Sequence, residues 1–109
     1  ARRLGLGQIL RHIEDAAFFP DAPVILLGDF NATPDSEELR IFADHPEYVD
    51  ATKGIGTTFH DFMRQADGLH IDYIFLRGFE QVDHQEKWEE SALGVCLSDH
   101  YPICIEATI

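Results

Sequence analysis

The stretch VILLGDFNATP, residues 24–34, decides how the rest of the chain is read. Val24 to Leu27 is a short, wholly apolar run, the pattern of a strand buried on both faces. Gly28 then lets the backbone turn closely at the C-terminal end of that strand. Asp29 and Asn31 follow two positions apart, so both lean to the same side. A rigid strand is thereby made the mount for one carboxylate and one carboxamide. A carboxylate so placed binds Mg²⁺ or orients a water, and an uncharged amide donates to a phosphoryl oxygen without adding repulsion. Gly, Asp and Asn are also ordinary turn residues, so the motif alone leaves a plain turn open beside a site.

Outward from this stretch the pattern is α, β, α and then mostly β. Leu6, Ile9, Leu10, Ile13 and Ala17 recur at helical spacing with Arg11, His12, Glu14 and Asp15 between them, which predicts an amphipathic helix ending near Pro20. After the motif, Thr33 can cap a second helix that starts at Pro34, with Asp35, Glu37 and Glu38 at its positive end and Leu39, Ile41 and Phe42 on one side. That helix stops before Pro46. A Gly-rich loop from Lys53 to Gly56 leads into TTFHDF. LHIDYIFL reads as a strand, EQVDHQEKWEE as a polar strand or loop, and YPICIEATI as the closing strand.

At 109 residues the chain is one domain at most, with room for a modest core. Eight Lys and Arg face twenty Asp and Glu, a net charge of −12, so the surface field repels polyanions and disfavours sequence-independent nucleic-acid binding. Cys96 and Cys104 follow no metal or redox spacing and read as buried apolar residues. No apolar run approaches the ~18 residues of a membrane span, and nothing has the pattern of a signal peptide. The chain opens on Ala1 inside a helical pattern, from which an upstream segment is expected, and the cellular compartment is left unassigned.

Two further stretches carry chemistry. HIDYIF sets Asp72 in an otherwise apolar strand, where an unpaired carboxylate costs roughly several kcal/mol, so Asp72 requires a partner. LSDHYPI supplies one in His100. A carboxylate on one imidazole nitrogen fixes the tautomer and favours the protonated ring, which suits contact with phosphate or proton donation. Taken singly, Asp72 is better read as a structural hydrogen bond and His100 as a strand-entry residue. Together with GDFN they read as a site.

In this order and at these separations, GDFN, TFH, IDYIF and SDHYP resemble the C-terminal half of the endonuclease/exonuclease/phosphatase superfamily of metal-dependent phosphodiesterases and phosphatases. The resemblance spans nearly the whole chain. It implies an α/β fold, half of a four-layered α/β sandwich with a mostly antiparallel sheet flanked by helices, with the site at the strand ends between two halves. It also implies that residues 1–109 form the C-terminal half of the domain and that the N-terminal half, with its metal-binding glutamate and a further histidine, is absent. By the same resemblance Asp29 positions or activates the attacking water, Asn31 holds a phosphoryl oxygen, Asp72 orients His100, and His100 contacts or protonates the scissile phosphate. Asp29, Asn31 and Asp99 would hold Mg²⁺ or Mn²⁺ with a ligand from the missing half.

Relatives often carry a basic residue, usually arginine, just before the IDYIF-type motif. His70 stands there here, which weakens a strong phosphate clamp. Phe59, Leu69 and Ile71 resemble substrate-pocket positions, for which core packing is the competing reading, and His60 either reaches the site or sits beside it. His12, His45 and His84 read as solvated. Three functions follow: a metal-dependent phosphoric ester hydrolase acting by direct water attack, a nuclease of the same superfamily, and an inactive fragment serving only assembly. The implied partners are a phosphate-ester substrate and, through an exposed sheet face, the missing half or a second copy.

Overall fold

The computed structural model describes residues 2–15, 21–62, 68–89 and 97–109. Helix α1 runs from Arg2 to Asp15; its expected continuation to Ala17 and its end near Pro20 lie outside the described residues. Leu6 and Leu10 of its apolar stripe are buried, whereas Ile9 is exposed, so the packed face is narrower than the periodicity suggests.

Strand β1 spans Val24–Asp29, β2 Val49–Asp50 and β3 Asp72–Arg77. They form an antiparallel sheet in the order β1-β3-β2. Strands β4, Gln81–Lys87, and β5, Ile103–Thr108, pair antiparallel in a second sheet, with a register shift between Val82 and His84. The polar stretch 81–87 is therefore a strand. Its ladder partner β5 satisfies its backbone, and the half-buried Val82 packs on Ile74 and Leu76 with Phe79, Ile103, Ile105 and Ala107. The architecture is the α/β arrangement of mostly antiparallel strands expected from the sequence.

The second helix differs from expectation. It is a 3₁₀ helix, Glu38–Asp44, and Glu37 at its cap makes no side-chain capping bond. Thr33 Oγ1 instead donates to Asp35 Oδ1 at 2.8 Å, and the Ser36 N–H bonds the Thr33 carbonyl at 2.9 Å. Residues 33–36 close a turn around Pro34, because short polar side chains offer the backbone a local alternative to the helix.

Strand β3 is the centre of the molecule. On one side Tyr73 and Phe75 pack with Leu6, Leu10, Leu39 and Tyr48, and Phe42 stacks on Phe75 with ring centroids 3.9 Å apart. Each such fully buried side chain contributes about 1.5–3 kcal/mol relative to exposure. On the other side Ile74 and Leu76 meet the β4–β5 sheet. Strand β1 is not covered in the same way. The register pairs Ile25 with Leu76 and Leu27 with Ile74, which sets all four on one face, yet Ile25 is 57% and Leu27 63% exposed. The expectation that Val24–Leu27 is buried on both faces is thus corrected for this chain: the β4–β5 sheet covers β3 and leaves β1's outer side open among the described residues.

Smaller corrections follow the same logic. Cys104 is exposed and free, because it alternates with the inward-facing Ile103 and Ile105; Cys96 lies outside the described residues. His45 is not solvated but faces Glu14 at 3.5 Å and Glu47 at 3.3 Å, tying α1 to the chain after the 3₁₀ helix. Gly68 is required where it stands. Its φ is +56°, and a Cβ there would meet Thr57 Cγ2 at 2.1 Å. None of the helices among the described residues is long and apolar enough to cross a membrane.

Candidate active site

The β1–β3 register sets Asp29 directly opposite Asp72. Two like charges facing each other across a sheet are unfavourable, and His100 supplies what offsets them. Its Nδ1 lies 2.8 Å from Asp72 Oδ2, its Nε2 3.8 Å from Asp29 Oδ2 and 4.0 Å from Asp99 Oδ1. With Asp72 ionised, Nδ1–H donates to the carboxylate, and Nε2 is left turned toward Asp29 and Asp99.

His100 reaches this place on a separate segment. Its backbone forms a bridge with Phe59, which also bridges Leu69. The His60 N–H bonds the Asp99 carbonyl at 2.9 Å, and the Tyr101 N–H bonds the Thr58 carbonyl at 2.7 Å. The Phe59 ring packs tilted beside the His100 ring, with centroids 5.0 Å apart. Burial lowers the His100 pKa, but the Asp72 hydrogen bond and the charges of Asp72, Asp29 and Asp99 outweigh it, and the net direction is upward.

Asn31 sits at φ +50°, a left-handed conformation that asparagine tolerates better than most residues. Its N–H donates to Asp29 Oδ1 at 2.9 Å, an Asx-type turn that fixes one carboxylate oxygen and leaves the other facing His100. Gly28 precedes it at φ +150°, an angle an L side chain rarely adopts. Gly28 and Asp72 also line a cavity of about 300 Å³ with Leu27, Ile74, Tyr101 and Ile103.

The remaining expected residues divide. Leu69 is exposed and Phe59 half-buried beside His100. His60 is only 3% exposed, its ring tilted against that of Tyr101 with centroids 4.4 Å apart, and Ile71 is buried. Neither presents its side chain at the surface of the described residues. Their burial reflects the two backbone crossings packed behind the site. His70 Nε2 faces the Asp72 carbonyl at 3.1 Å and its ring stacks on Tyr73 at 4.5 Å. Burial lowers its pKa, more than the nearby charges of Asp50 and Asp72 raise it, so His70 is suited to a neutral hydrogen-bonding role rather than a cationic clamp.

Asp29, Asp72 and His100 hold their ligand atoms within 4.8 Å of one another, a cluster able to hold a metal ion. It differs from the expected set of Asp29, Asn31 and Asp99 in drawing on the dyad itself.

Two residues went unnoticed in the sequence. The Tyr73 hydroxyl donates to the Ala32 carbonyl at 2.7 Å and lies 3.0 Å from that of His70, joining the GDFN turn to the strand entering β3; desolvation raises its pKa strongly. Thr58 is fully buried. The signal for both was available: a polar group within a run that packs on all sides needs a stated partner.

A model of the Endonuclease/Exonuclease/phosphatase family matches residues 1–100. None of the curated proteins compared matches the chain. Among solved structures, the endonuclease/exonuclease/phosphatase from Bacteroides vulgatus superposes with a TM-score of 0.84 at 30% identity, over 99% of this chain and 44% of that one. A functionally unknown conserved protein from Enterococcus faecalis V583 gives 0.81 at 29% identity, over 99% and 44%. A mannosyl-6-phosphatase from Bacteroides thetaiotaomicron VPI-5482 gives 0.70 at 18% identity, over 98% and 44%, a likeness of fold alone. The chain therefore spans less than half the length of the solved structures it matches.

Proposed function

The chain belongs to the endonuclease/exonuclease/phosphatase family, and from that premise we propose that it carries part of the active site of a divalent-metal-dependent phosphoric ester hydrolase. The observation that supports this most is the bracketing of His100, with Nδ1 at 2.8 Å from Asp72 and Nε2 facing Asp29 at 3.8 Å. That second separation is too long for a hydrogen bond, so Asp29 Oδ2 and His100 Nε2 are not bonded to each other and both are available to a substrate oxygen.

In this reading Asp29 accepts a proton from the attacking water as its oxygen bonds to phosphorus. The ester P–O bond breaks on the opposite side, and His100 Nε2–H neutralises charge on the phosphoryl or leaving oxygen. Asp72 keeps that ring protonated and aimed. Asn31, held by its Asx turn, offers its amide to a phosphoryl oxygen. The stabilisation acts on charge that develops only in the transition state. The donor set, carboxylate and amide oxygens, fits a hard cation such as Mg²⁺ or Mn²⁺. Asp29, Asn31 and Asp99 would hold it, and when bound it supplies neutralisation of the phosphate.

Three protein oxygen donors are fewer than the about six a divalent cation takes, which supports the need for a further ligand from outside the chain. We assign residues 1–109 as the C-terminal half of the domain, with the N-terminal half or a second copy seated on the open face at Ile25 and Leu27. The net charge of −12 weighs against a nuclease. The test combines the chain with the upstream segment of its parent protein and assays chromogenic phosphomonoester, phosphodiester and DNA with Mg²⁺ and with chelator. Ester cleavage that chelator abolishes is expected; no hydrolysis by a folded, metal-loaded assembly would overturn the proposal.

A further inference from the structure

We infer that Thr58 is the positioning residue of the Asp72–His100 dyad. Its side chain is fully buried, and its hydroxyl oxygen accepts from the Ile71 N–H at 3.0 Å and the Asp72 N–H at 3.1 Å. The hydroxyl proton points to the Leu69 carbonyl at 3.4 Å. The backbone of the same residue bonds both ways. Its N–H donates to the Leu69 carbonyl at 2.9 Å, and its carbonyl accepts from the Tyr101 N–H at 2.7 Å.

One residue therefore grips both members of the dyad from behind. The hydroxyl fixes the backbone of Asp72, and the carbonyl fixes the residue next to His100. Neither Asp72 nor His100 is anchored to the other by a regular ladder: Asp72 is the first residue of β3, and His100 lies on a bridge outside the strands. The N–H groups of Ile71 and Asp72 lie just before the β3 ladder is fully established, where donors lacking a strand partner need a side-chain acceptor. A threonine hydroxyl, with two lone pairs and one proton, meets both and keeps its own proton in use.

Thr52 makes the contrast. It is equally buried, but its hydroxyl and N–H both bond Asp50 Oδ1, at 2.6 and 2.8 Å, two residues away. Thr52 closes its own turn; Thr58 joins three segments distant in sequence. Valine at position 58 keeps the shape and removes the acceptor, leaving two inward N–H groups unmatched. The strand entrance would then shift to find water, carrying the Asp72 carboxylate away from His100 Nδ1.

The catalytic consequence rests on the phosphoester-hydrolase reading, but the positioning does not, and the test is chosen to separate them. In the 109-residue chain with ¹⁵N-histidine, an Nδ1–H proton held to a carboxylate gives a downfield signal, assigned to His100 by its loss in H100Q and in D72N. Thr58→Val is expected to abolish that signal while the β3 amides remain dispersed, and Thr58→Ser, which restores the hydroxyl, is expected to keep it. Persistence of the signal in folded T58V, or its loss in folded T58S, would overturn the inference. Should T58V not fold, amide exchange in the unaltered chain decides: protection of the Asp72 amide comparable to Tyr73 is expected, and exchange at the free-amide rate would overturn the bond. No substrate enters any of these measurements, so a negative activity assay leaves this result standing and the reverse holds as well.

Discussion

His100 stands between two carboxylates, with Nδ1 2.8 Å from Asp72 Oδ2 and Nε2 3.8 Å from Asp29 Oδ2. The short contact orients the ring and the long one leaves its other nitrogen turned toward the open site. In an assembly active on phosphate esters, His100→Ala and Asp29→Asn are each expected to lower turnover by about 10²–10⁴-fold. Asp29 is exposed, so thermal unfolding of Asp29→Asn should stay close to that of the unaltered chain, whereas His100→Ala leaves the half-buried Asp72 carboxylate without its partner and should unfold at a lower temperature while still folding. Steady-state kinetics with a melting curve on each variant checks this, and unchanged turnover in a folded variant removes that residue from the mechanism.

The two site histidines should titrate on opposite sides of the ordinary value of 6.5. The Asp72 hydrogen bond and neighbouring carboxylates, opposing burial, carry His100 above it, whereas burial carries His70 below. For His100 the gain in stability is fully present below pH 6.5 and is lost as pH rises through its raised pKa. For His70 the sign reverses: its contribution is present above 6.5 and is lost as pH falls through its lowered pKa. Imidazole C–H shifts followed by NMR from pH 5 to 9 should give the two midpoints in that order.

Metal binding by the isolated chain should be weak. A divalent cation seeks about six oxygen ligands, and Asp29, Asn31, Asp72 and Asp99 offer few, one oxygen of Asp29 being already bonded to the Asn31 N–H. Calorimetric titration with Mg²⁺ should show no tight stoichiometric site, and the weak shifts seen by NMR should centre on residues 29–31 and 99–100. A tight site in the chain alone would show that it needs no ligand from elsewhere.

The open side of β1 should make the chain associate. Ile25 and Leu27 expose apolar surface next to Ile74 and Leu76, and a patch of this kind marks an interface. Sedimentation across a dilution series should show self-association that Leu27→Asp reduces, with a change in stability within about 0.5 kcal/mol because the site is exposed. A monomer at all concentrations, binding no hydrophobic dye, would mean that the face needs no cover.

Gly68→Ala should destabilise the fold by about 1–3 kcal/mol. The added methyl meets Thr57 Cγ2 and the Phe59 carbonyl at φ +56°, and the loop it would displace carries Leu69, the partner of Phe59 and Thr58. Urea unfolding of the variant measures the loss.

Much of this protein was legible as a chain of letters. Apolar runs of strand length, a GDFN turn at the end of one of them, and a carboxylate within another are local patterns, and local patterns are what side-chain alternation and turn chemistry encode. They were enough to nominate Asp29, Asn31, Asp72 and His100 and to pair the last two, because a half-buried carboxylate must find a partner. Long-range pairing decided the rest. Only the β1–β3 register sets Asp29 opposite Asp72, only the β4–β5 ladder makes a strand of the polar residues 81–87, and only the placement of the β4–β5 sheet over β3 leaves Ile25 and Leu27 uncovered. His60 and Ile71 turned inward, and Thr58 gained its place behind the dyad, for the same reason. A residue's burial and its hydrogen-bond partners are properties of segments far apart in sequence that meet once, when the backbone donors and acceptors of the whole chain are satisfied together.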